Sequence, residues 1–144
     1  MTNLSRNFLR NRIRLDLVPT LQQVDQRSKK NILKTINSMR ETEEFIKKIA
    51  LHHLHKTTRE NNVLDIKKFF AIDDTILKRR VILEWLYTSQ VPFNISTKLI
   101  DEIIRFLNNK KSTTHQFDTW QISKKKFRAS IIKTSINPHQ QPIL

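Results

Sequence analysis

A row of arginines near the amino end is the clearest candidate for binding chemistry. Arg6, Arg10 and Arg14 recur every four residues, so they share one face of the chain if this stretch is helical. Guanidinium groups donate paired hydrogen bonds to phosphate oxygens and keep their charge at any relevant pH. The row therefore predicts phosphate contacts, most directly at Arg10 and Arg14. The alternative is that these arginines pair with acidic groups of a neighbouring domain.

A second basic cluster lies near the carboxyl end. Lys124, Lys125 and Lys126 form a run that is followed closely by Arg128. Such a run at a turn is usually just solvated, but beside Arg128 it can also follow a phosphate backbone. The cluster is thus a second candidate site for a polyanion.

The charge of the whole chain favours a polyanionic partner. The 144 residues include 27 Lys+Arg against 13 Asp+Glu, which gives a formal net charge of +14. The excess is concentrated in residues 1–40 and 105–133, while the centre is mixed. Because phosphate neutralisation releases condensed counterions, nucleic acid is the favoured partner and an anionic membrane surface comes second. A basic surface that serves only solubility is the plain alternative.

Missing residue types exclude several kinds of site. The sequence contains no Gly, which removes Walker loops and dinucleotide-binding fingerprints. It contains no Cys, which removes disulfides, zinc ribbons and thiol nucleophiles. Its apolar runs are far shorter than the roughly 18 residues of a membrane span. We therefore predict no catalytic residue, no metal site and no membrane partner in this chain.

Three other groups favour a structural role over a chemical one. The three histidines between positions 52 and 55 have no further ligands at metal-binding spacing, which favours a packed or surface cluster. Asp73 and Asp74 precede an apolar run, which suits the start of a helix better than a magnesium site. Trp85 lies in an apolar run and is expected in the core. Trp120 fits either a core position or a stacking platform for an unpaired base.

The arginine row must be positioned by an amphipathic helix. Leu9, Ile13 and Leu17 follow the same spacing as the arginines, one ridge away. Pro19 lacks an amide proton and clashes with the preceding turn, so this helix should kink or stop near Val18.

The centre of the chain predicts three more helices. Apolar spacing indicates helices over 28–57, from Asp73 or Asp74 to 88, and from an N-cap at Ser96 to 108. Asn61 and Asn62 indicate a break, followed by a short extended segment over 63–66. The apolar positions expected to pack are Ile32, Ile36, Met39, Ile46, Ala50 and His53 in the first helix, Ile76, Leu77, Val81, Ile82, Trp85 and Leu86 in the second, and Leu99, Ile100, Ile103, Ile104 and Leu107 in the third.

The carboxyl-terminal region changes character. Residues 117–122 and 127–132 are rich in aromatic and β-branched types around the polar stretch 123–126, which predicts a β-hairpin. The tail from Asn137 has too little periodicity to pack and should be flexible. The fold class expected is mainly α: a helical bundle with a small C-terminal β-hairpin.

One string of residues carries a family resemblance. Residues 10–21, RNRIRLDLVPTL, resemble the R-N-x-[IL]-R-x-x-[LIV]-[LIV]-P-x-L segment of tRNA(Ile)-lysidine synthases, where it closes the nucleotide-binding domain. Thr2, Asn3 and Phe8 also match the residues that precede this segment in the family. Residues 78–86, with an arginine-rich stretch ending in Trp-Leu, residues 96–104 and the Phe127-Arg128 hairpin look like its substrate-binding domain. The resemblance covers residues 2–133.

The resemblance implies a function in tRNA modification. Members of this family use ATP to adenylate the wobble cytidine of an isoleucine tRNA with a CAU anticodon, and lysine then displaces AMP to form lysidine. By this resemblance, residues 1–60 correspond to the end of the nucleotide domain and a linker helix. Residues 61–134 correspond to the tRNA-binding domain, and residues 135–144 form the flexible tail. The residues expected to contact tRNA are Asn3, Arg6, Arg10, Asn11, Arg14, Lys124, Lys125 and Arg128.

The family's ATP chemistry requires residues that this sequence lacks. Activation depends on an S-G-G-x-D-S loop and acidic magnesium ligands, so ATP and Mg²⁺ are implied for the full enzyme and not for this chain alone. The expectation is a split or truncated ligase, with the nucleotide domain on a separate N-terminal polypeptide. A start site assigned too late and a decaying remnant are the other two explanations.

The abundance of Ile, Lys and Asn with no Gly indicates AT-rich coding. A plastid (chloroplast) stroma is the location this suggests, with a bacterial cytoplasm as the alternative. Two other functions stay open. One is a DNA-binding helix-turn-helix, although Asp101 and Glu102 suit a DNA groove badly. The other is a generic RNA-binding accessory protein.

Overall fold

The computed structural model describes residues 8–92 and 95–134. The predictions for Thr2, Asn3, Arg6 and the tail from Asn137 lie outside the described residues. The chain divides into two compact units, Met1–Glu44 and Phe45–Leu144, and one long helix runs across the division. No helix in the described ranges is both long and apolar enough to cross a membrane.

The first unit is helical throughout its described length. A short helix, α1, leads into a π-helical turn and then into α2, and the long helix α3 follows. Pro19 lies in the first turn of α2, where a missing amide proton costs no helical hydrogen bond. The helix expected to kink or stop near Val18 therefore changes to π-helical bonding just before it and then continues. The bounds are α1 Leu9–Arg12, the π-helical turn Ile13–Leu17, α2 Val18–Val24 and α3 Ser28–Thr57.

The first unit has no buried side chain among its described residues, 8–44. The apolar row predicted beside the arginines is open to solvent, with Leu9 65% and Leu17 50% exposed. In α3 the predicted range is correct, but Ile32, Ile36 and Met39 of its expected packing seam are exposed. The seam becomes covered only further along, where Ala50 is fully buried in the second unit.

The second unit combines three more helices with a five-stranded sheet. Asn61 and Asn62 adopt left-handed φ angles of 57° and 55°, which Asn tolerates better than most residues, and they form the predicted break. The elements after α3 are β1 Thr58–Arg59, a 3₁₀ turn Glu60–Asn62, β2 Val63–Asp65, α4 Ile66–Phe70, α5 Thr75–Thr88, α6 Thr97–Asn108, β3 Thr114–Phe117, β4 Trp120–Lys125 and β5 Arg128–Lys133.

Side-chain caps begin α4, α5 and α6. The backbone N–H of Leu77 donates to Asp74 Oδ1 at 2.7 Å, and that of Leu99 donates to Ser96 Oγ at 3.2 Å. Both caps confirm the predicted starts of these helices. Asp65 caps α4 in the same way, since its Oδ1 accepts from the backbone N–H of Lys68 at 3.2 Å.

The sheet is antiparallel, with strand order β1-β2-β5-β4-β3. The predicted hairpin exists as β4 and β5, but its turn is shorter than expected. Lys125 pairs with Arg128, which leaves Lys126 and Phe127 as a two-residue connection. Lys126 takes a φ of 53°, and this left-handed residue allows the tight reversal. Phe117, predicted to belong to the first hairpin strand, lies instead in β3.

The core of the second unit packs α5 and α6 with the sheet, the end of α3 and α4. Trp85 is fully buried, and its Nε1–H donates to the carbonyl of Asn62 at 2.8 Å, which confirms its predicted core position. Ile76, also predicted to pack, is 69% exposed. At about 100° per residue it lies about 140° around the helix from Val81, outside the buried face. The chain is thus mainly α with a small C-terminal antiparallel sheet, as predicted.

Candidate functional site

A basic groove of about 560 Å³ lies beside the tip of the β4–β5 hairpin. Five cationic side chains and one carboxylate line it, together with an exposed phenylalanine. The residues of this basic groove are Arg59, Asp65, Lys67, Lys125, Lys126, Phe127 and Arg128.

Strand pairing brings these distant parts of the sequence together. β2 pairs with β5 so that Asp65 lies opposite Arg128. Just beyond the strand, the backbone N–H of Ile66 donates to the carbonyl of Phe127 at 2.8 Å. The hairpin tip is therefore fixed by main-chain bonds against the start of α4. Lys125 and Arg128, both predicted as tRNA contacts, are exposed and lie in this groove.

The carboxylate of Asp65 does not cancel the positive character of the groove. Its side chain is 12% exposed and accepts a hydrogen bond from Arg59 Nη2 at 3.2 Å, in addition to the bond from Lys68. Burial alone would raise the pKa of Asp65. The bond from the Lys68 N–H, the bond from Arg59 and their positive charges outweigh burial and lower that pKa below its usual value. Asp65 is thus a neutralised anchor at the edge of a cationic surface.

Lys124 is placed differently from its neighbours in the run. Its ammonium donates to the carbonyl of Phe106 at 2.7 Å and to the carbonyl of Asn109, and lies 4.6 Å from the centre of the Phe106 ring. Partial burial lowers the pKa of Lys124. The two carbonyls belong to the carboxyl end of α6, so this lysine caps that helix. We assign it a positioning role for the hairpin; its predicted contact with tRNA stays a prediction.

A second groove of about 340 Å³ adjoins the basic groove. The two share Lys67, Lys126 and Phe127, so these residues form a ridge between them. The second groove is lined in addition by Ile66, Phe70, Leu107, Asn108, Asn109, Lys110 and Lys124. Its lining is both more apolar and less basic than that of the first.

The exposed aromatic residue of this surface is Phe127. Its side chain is 53% exposed, and Lys67 Nζ lies 3.9 Å from the centre of its ring. Trp120, the stacking candidate from the sequence, is only 8% exposed and packs in the core. Of these two aromatics, Phe127 is therefore the one that can contact a ligand.

The arginine row of the first unit is exposed. Arg10 lies in α1 and Arg14 in the π-helical turn, and both side chains face solvent. Asn11 is partly buried. A shallow groove of about 370 Å³ in this region is lined by Leu9, Arg12, Ile13, Asp16, Leu17 and Thr20. Asn3 and Arg6 lie outside the described residues, so the row is described only in part.

Sequence reasoning missed several residues of the basic groove. Arg59 and Lys67 come from a break and a short helix that carried no signal of their own, and strand pairing alone places them beside the hairpin. Phe127 and Lys126 had a signal that was open to use. An aromatic residue set in a basic turn has little reason to be there for packing, and it marks an exposed ring among cations.

The other candidates do not form a site in the described part of the chain. No three His, Cys, Asp or Glu side chains of residues 8–92 and 95–134 lie close enough together to hold a metal. Asp101 is engaged by Arg79, whose Nε lies 2.7 Å from its Oδ1. This ion pair ties α5 to α6.

Comparison with known proteins gives one informative relative. The chain is 30% identical over 109 residues to a tRNA(Ile)-lysidine synthase of Clostridium acetobutylicum, which covers 72% of this chain and 23% of that protein. The chain thus spans about a quarter of the length of the curated relative. No protein-family model matches the sequence.

Proposed function

We propose that this chain binds tRNA and supplies the tRNA-binding part of an enzyme like tRNA(Ile)-lysidine synthase. The identity to the clostridial enzyme supports the tRNA-modification context. The observation that carries the proposal is the basic groove, because its cations converge from three separate elements on one surface. A basic surface that served only solubility would not need strand pairing to assemble it.

The cations of the groove are available to phosphates. Lys125, Arg128 and Lys67 are exposed, while Asp65 is already engaged by Arg59. The same surface also contains an exposed ring at Phe127, and mixed aromatic and cationic surfaces are typical of RNA recognition. We assign the phosphate contacts to Lys125 and Arg128 first, and to Arg10 and Arg14 in the first unit.

The substrate proposed is the isoleucine tRNA with a CAU anticodon, and the reaction is lysidine formation at its wobble cytidine. The residues of this chain do not fit ATP and Mg²⁺. The sequence has no Gly for a phosphate loop, and the described residues offer no acidic cluster for a metal. We therefore place the nucleotide chemistry on a separate polypeptide and derive no catalytic step from this chain.

The first test is a comparison of three nucleic acids. The purified chain is titrated with unmodified isoleucine tRNA carrying CAU, with bulk tRNA and with duplex DNA at equal salt. Preference for the isoleucine tRNA supports the proposal, and equal binding of both tRNA samples reduces it to a generic RNA-binding protein. Preference for duplex DNA contradicts it and favours a DNA-binding module.

The second test locates the binding surface. The double variant Lys125→Gln/Arg128→Gln should weaken tRNA binding and lower the slope of log affinity against log salt by about 2, since each phosphate contact contributes about 1. The matched control is Lys98→Gln/Lys133→Gln, which removes the same charge from exposed positions outside the grooves described above. Equal losses in the two double variants would mean that net charge, and not the groove, attracts the RNA.

The third test concerns the first unit. Arg10→Ala/Arg14→Ala should also weaken tRNA binding and flatten its salt dependence. Unchanged affinity and slope would remove this row from the contact surface and leave the groove of the second unit as the proposed site.

A further inference from the structure

We infer that Phe127 is a stacking platform for one unpaired RNA base, with the flanking phosphates held in the two grooves on either side of its ridge. This inference rests on the proposed function, since it takes RNA as the ligand. It goes further by predicting which form of RNA the surface binds: a single strand or loop, and not a duplex.

The backbone at Phe127 is held in place while its ring stays exposed. The residue lies in a two-residue connection between paired strands, and its carbonyl accepts from the Ile66 N–H at 2.8 Å. Its ring is nevertheless 53% exposed. An exposed ring on a fixed backbone loses little conformational freedom when a flat ligand stacks on it.

The charges around the ring suit the backbone of a single strand. The basic groove offers Arg59, Lys125 and Arg128 on one side of the ridge, and the second groove offers Lys110 on the other. Lys67 and Lys126 belong to the ridge itself. A strand that crosses the ridge would thus meet cations before, at and after the base that contacts Phe127.

The geometry of RNA decides between a single strand and a duplex. In an A-form duplex the base faces are covered by their neighbours, so a protruding ring has no face to stack on. In a loop or single strand every base has a free face, and stacking on an aromatic side chain is sequence-tolerant. Phe127 should therefore contribute to binding unpaired RNA and contribute nothing to binding a duplex.

The Lys67 ammonium near the ring is consistent with this role. At 3.9 Å from the ring centre it makes a cation-π contact and places a positive charge where a stacked nucleotide would carry its phosphate. The groove thus presents charge and ring surface together.

The test uses the full chain with a 12-nucleotide single-stranded RNA and a duplex RNA of equal phosphate number. Phe127→Leu keeps an apolar side chain but removes the aromatic face, and Phe127→Trp keeps the face. We expect Phe127→Leu to bind the single strand about tenfold more weakly and the duplex within twofold of the parent chain. Phe127→Trp should keep full affinity, and its indole fluorescence should be quenched by the single strand, because Trp85 and Trp120 are buried.

Each other outcome overturns the stacking role. Unchanged affinity of Phe127→Leu for the single strand removes it directly. Equal losses on single strand and duplex assign the effect to altered placement of the cations, and circular dichroism with thermal melting checks that the variant is folded. The Lys125→Gln/Arg128→Gln variant separates the two proposals. If it loses both ligands while Phe127→Leu loses neither, tRNA binding stands and stacking falls; if neither variant changes binding, both fall.

Discussion

The two units use their apolar residues in opposite ways. In the second unit, apolar residues from α5, α6 and the sheet converge on a core in which Trp85, Phe69 and Ile103 are fully buried. In the first unit, apolar residues recur at helical spacing just as regularly, but no described side chain between 8 and 44 is buried. Periodicity is present in both units, and burial in only one.

The difference shows what helical periodicity does and does not establish. Apolar spacing of three and four fixes one face of a helix, but burial needs a second surface that covers that face. α3 shows both cases in one element, since Ile36 is 39% exposed and Leu54 only 4%. The first unit therefore gains its helical structure from local hydrogen bonds, and the second unit from packing.

The largest expected effect comes from the centre of the second core. Trp85→Ala removes a fully buried ring and leaves the Asn62 carbonyl without its donor, so the free energy of unfolding should fall by about 3 to 5 kcal/mol. Urea unfolding followed by circular dichroism measures the loss. A fall below about 1 kcal/mol would mean that this core is not what stabilises the second unit.

A comparable effect is expected at the buried ion pair of α5. Arg80 Nε donates to Glu84 Oε1 at 3.0 Å, and the Glu84 side chain is only 3% exposed. Arg80→Met should lower the free energy of unfolding by about 3 kcal/mol, because it removes this partner from a buried carboxylate. The double variant Arg80→Met/Glu84→Gln should recover part of the loss. No recovery would show that the charge of Glu84 is not the cause.

A smaller effect, dependent on pH, is expected at Asp65. Because its pKa is lowered in the folded state, its charged form stabilises the fold above the unfolded pKa of about 4, and this contribution is lost as the pH falls through the lower folded value. Asp65→Asn should therefore cost about 1 kcal/mol at pH 7 and progressively less as the pH falls below 4. Asp73→Asn, at an exposed carboxylate, is the control. An effect of Asp65→Asn that does not change with pH would assign it to the α4 cap alone.

The smallest effect is expected in the first unit. Ile36→Ala should change the free energy of unfolding by less than about 0.5 kcal/mol, because the side chain is exposed and Ala favours a helix. Leu54→Ala in the same helix should cost about 2 to 5 kcal/mol. Thermal melting of both variants tests the contrast. A large loss in Ile36→Ala would show that the first unit has a core after all.

Much of the fold could be predicted because its signals are local. The bounds of α3, the caps at Asp74 and Ser96, and the break at Asn61 all follow from residues within a few positions of each other. The hairpin was predicted in kind but not in register, because its turn depends on a left-handed Lys126 that no residue type demands.

The candidate site could be predicted only in part. Lys125 and Arg128 were found because they are close in sequence and of one charge. Arg59 and Lys67 were missed, because they reach the groove through the pairing of β2 with β5 across more than sixty positions. Sequence spacing carries no information on such a contact.

The sequence by itself determined the positive charge, the lack of glycine and cysteine, the mainly helical class and the two basic regions. These follow from composition and from spacing within single elements. The tertiary structure decided that Lys124 caps α6, that Trp120 is buried while Phe127 is exposed, and that five cations share one groove. Those outcomes depend on which strands pair and which faces are covered, and both are set by contacts between residues far apart in the chain.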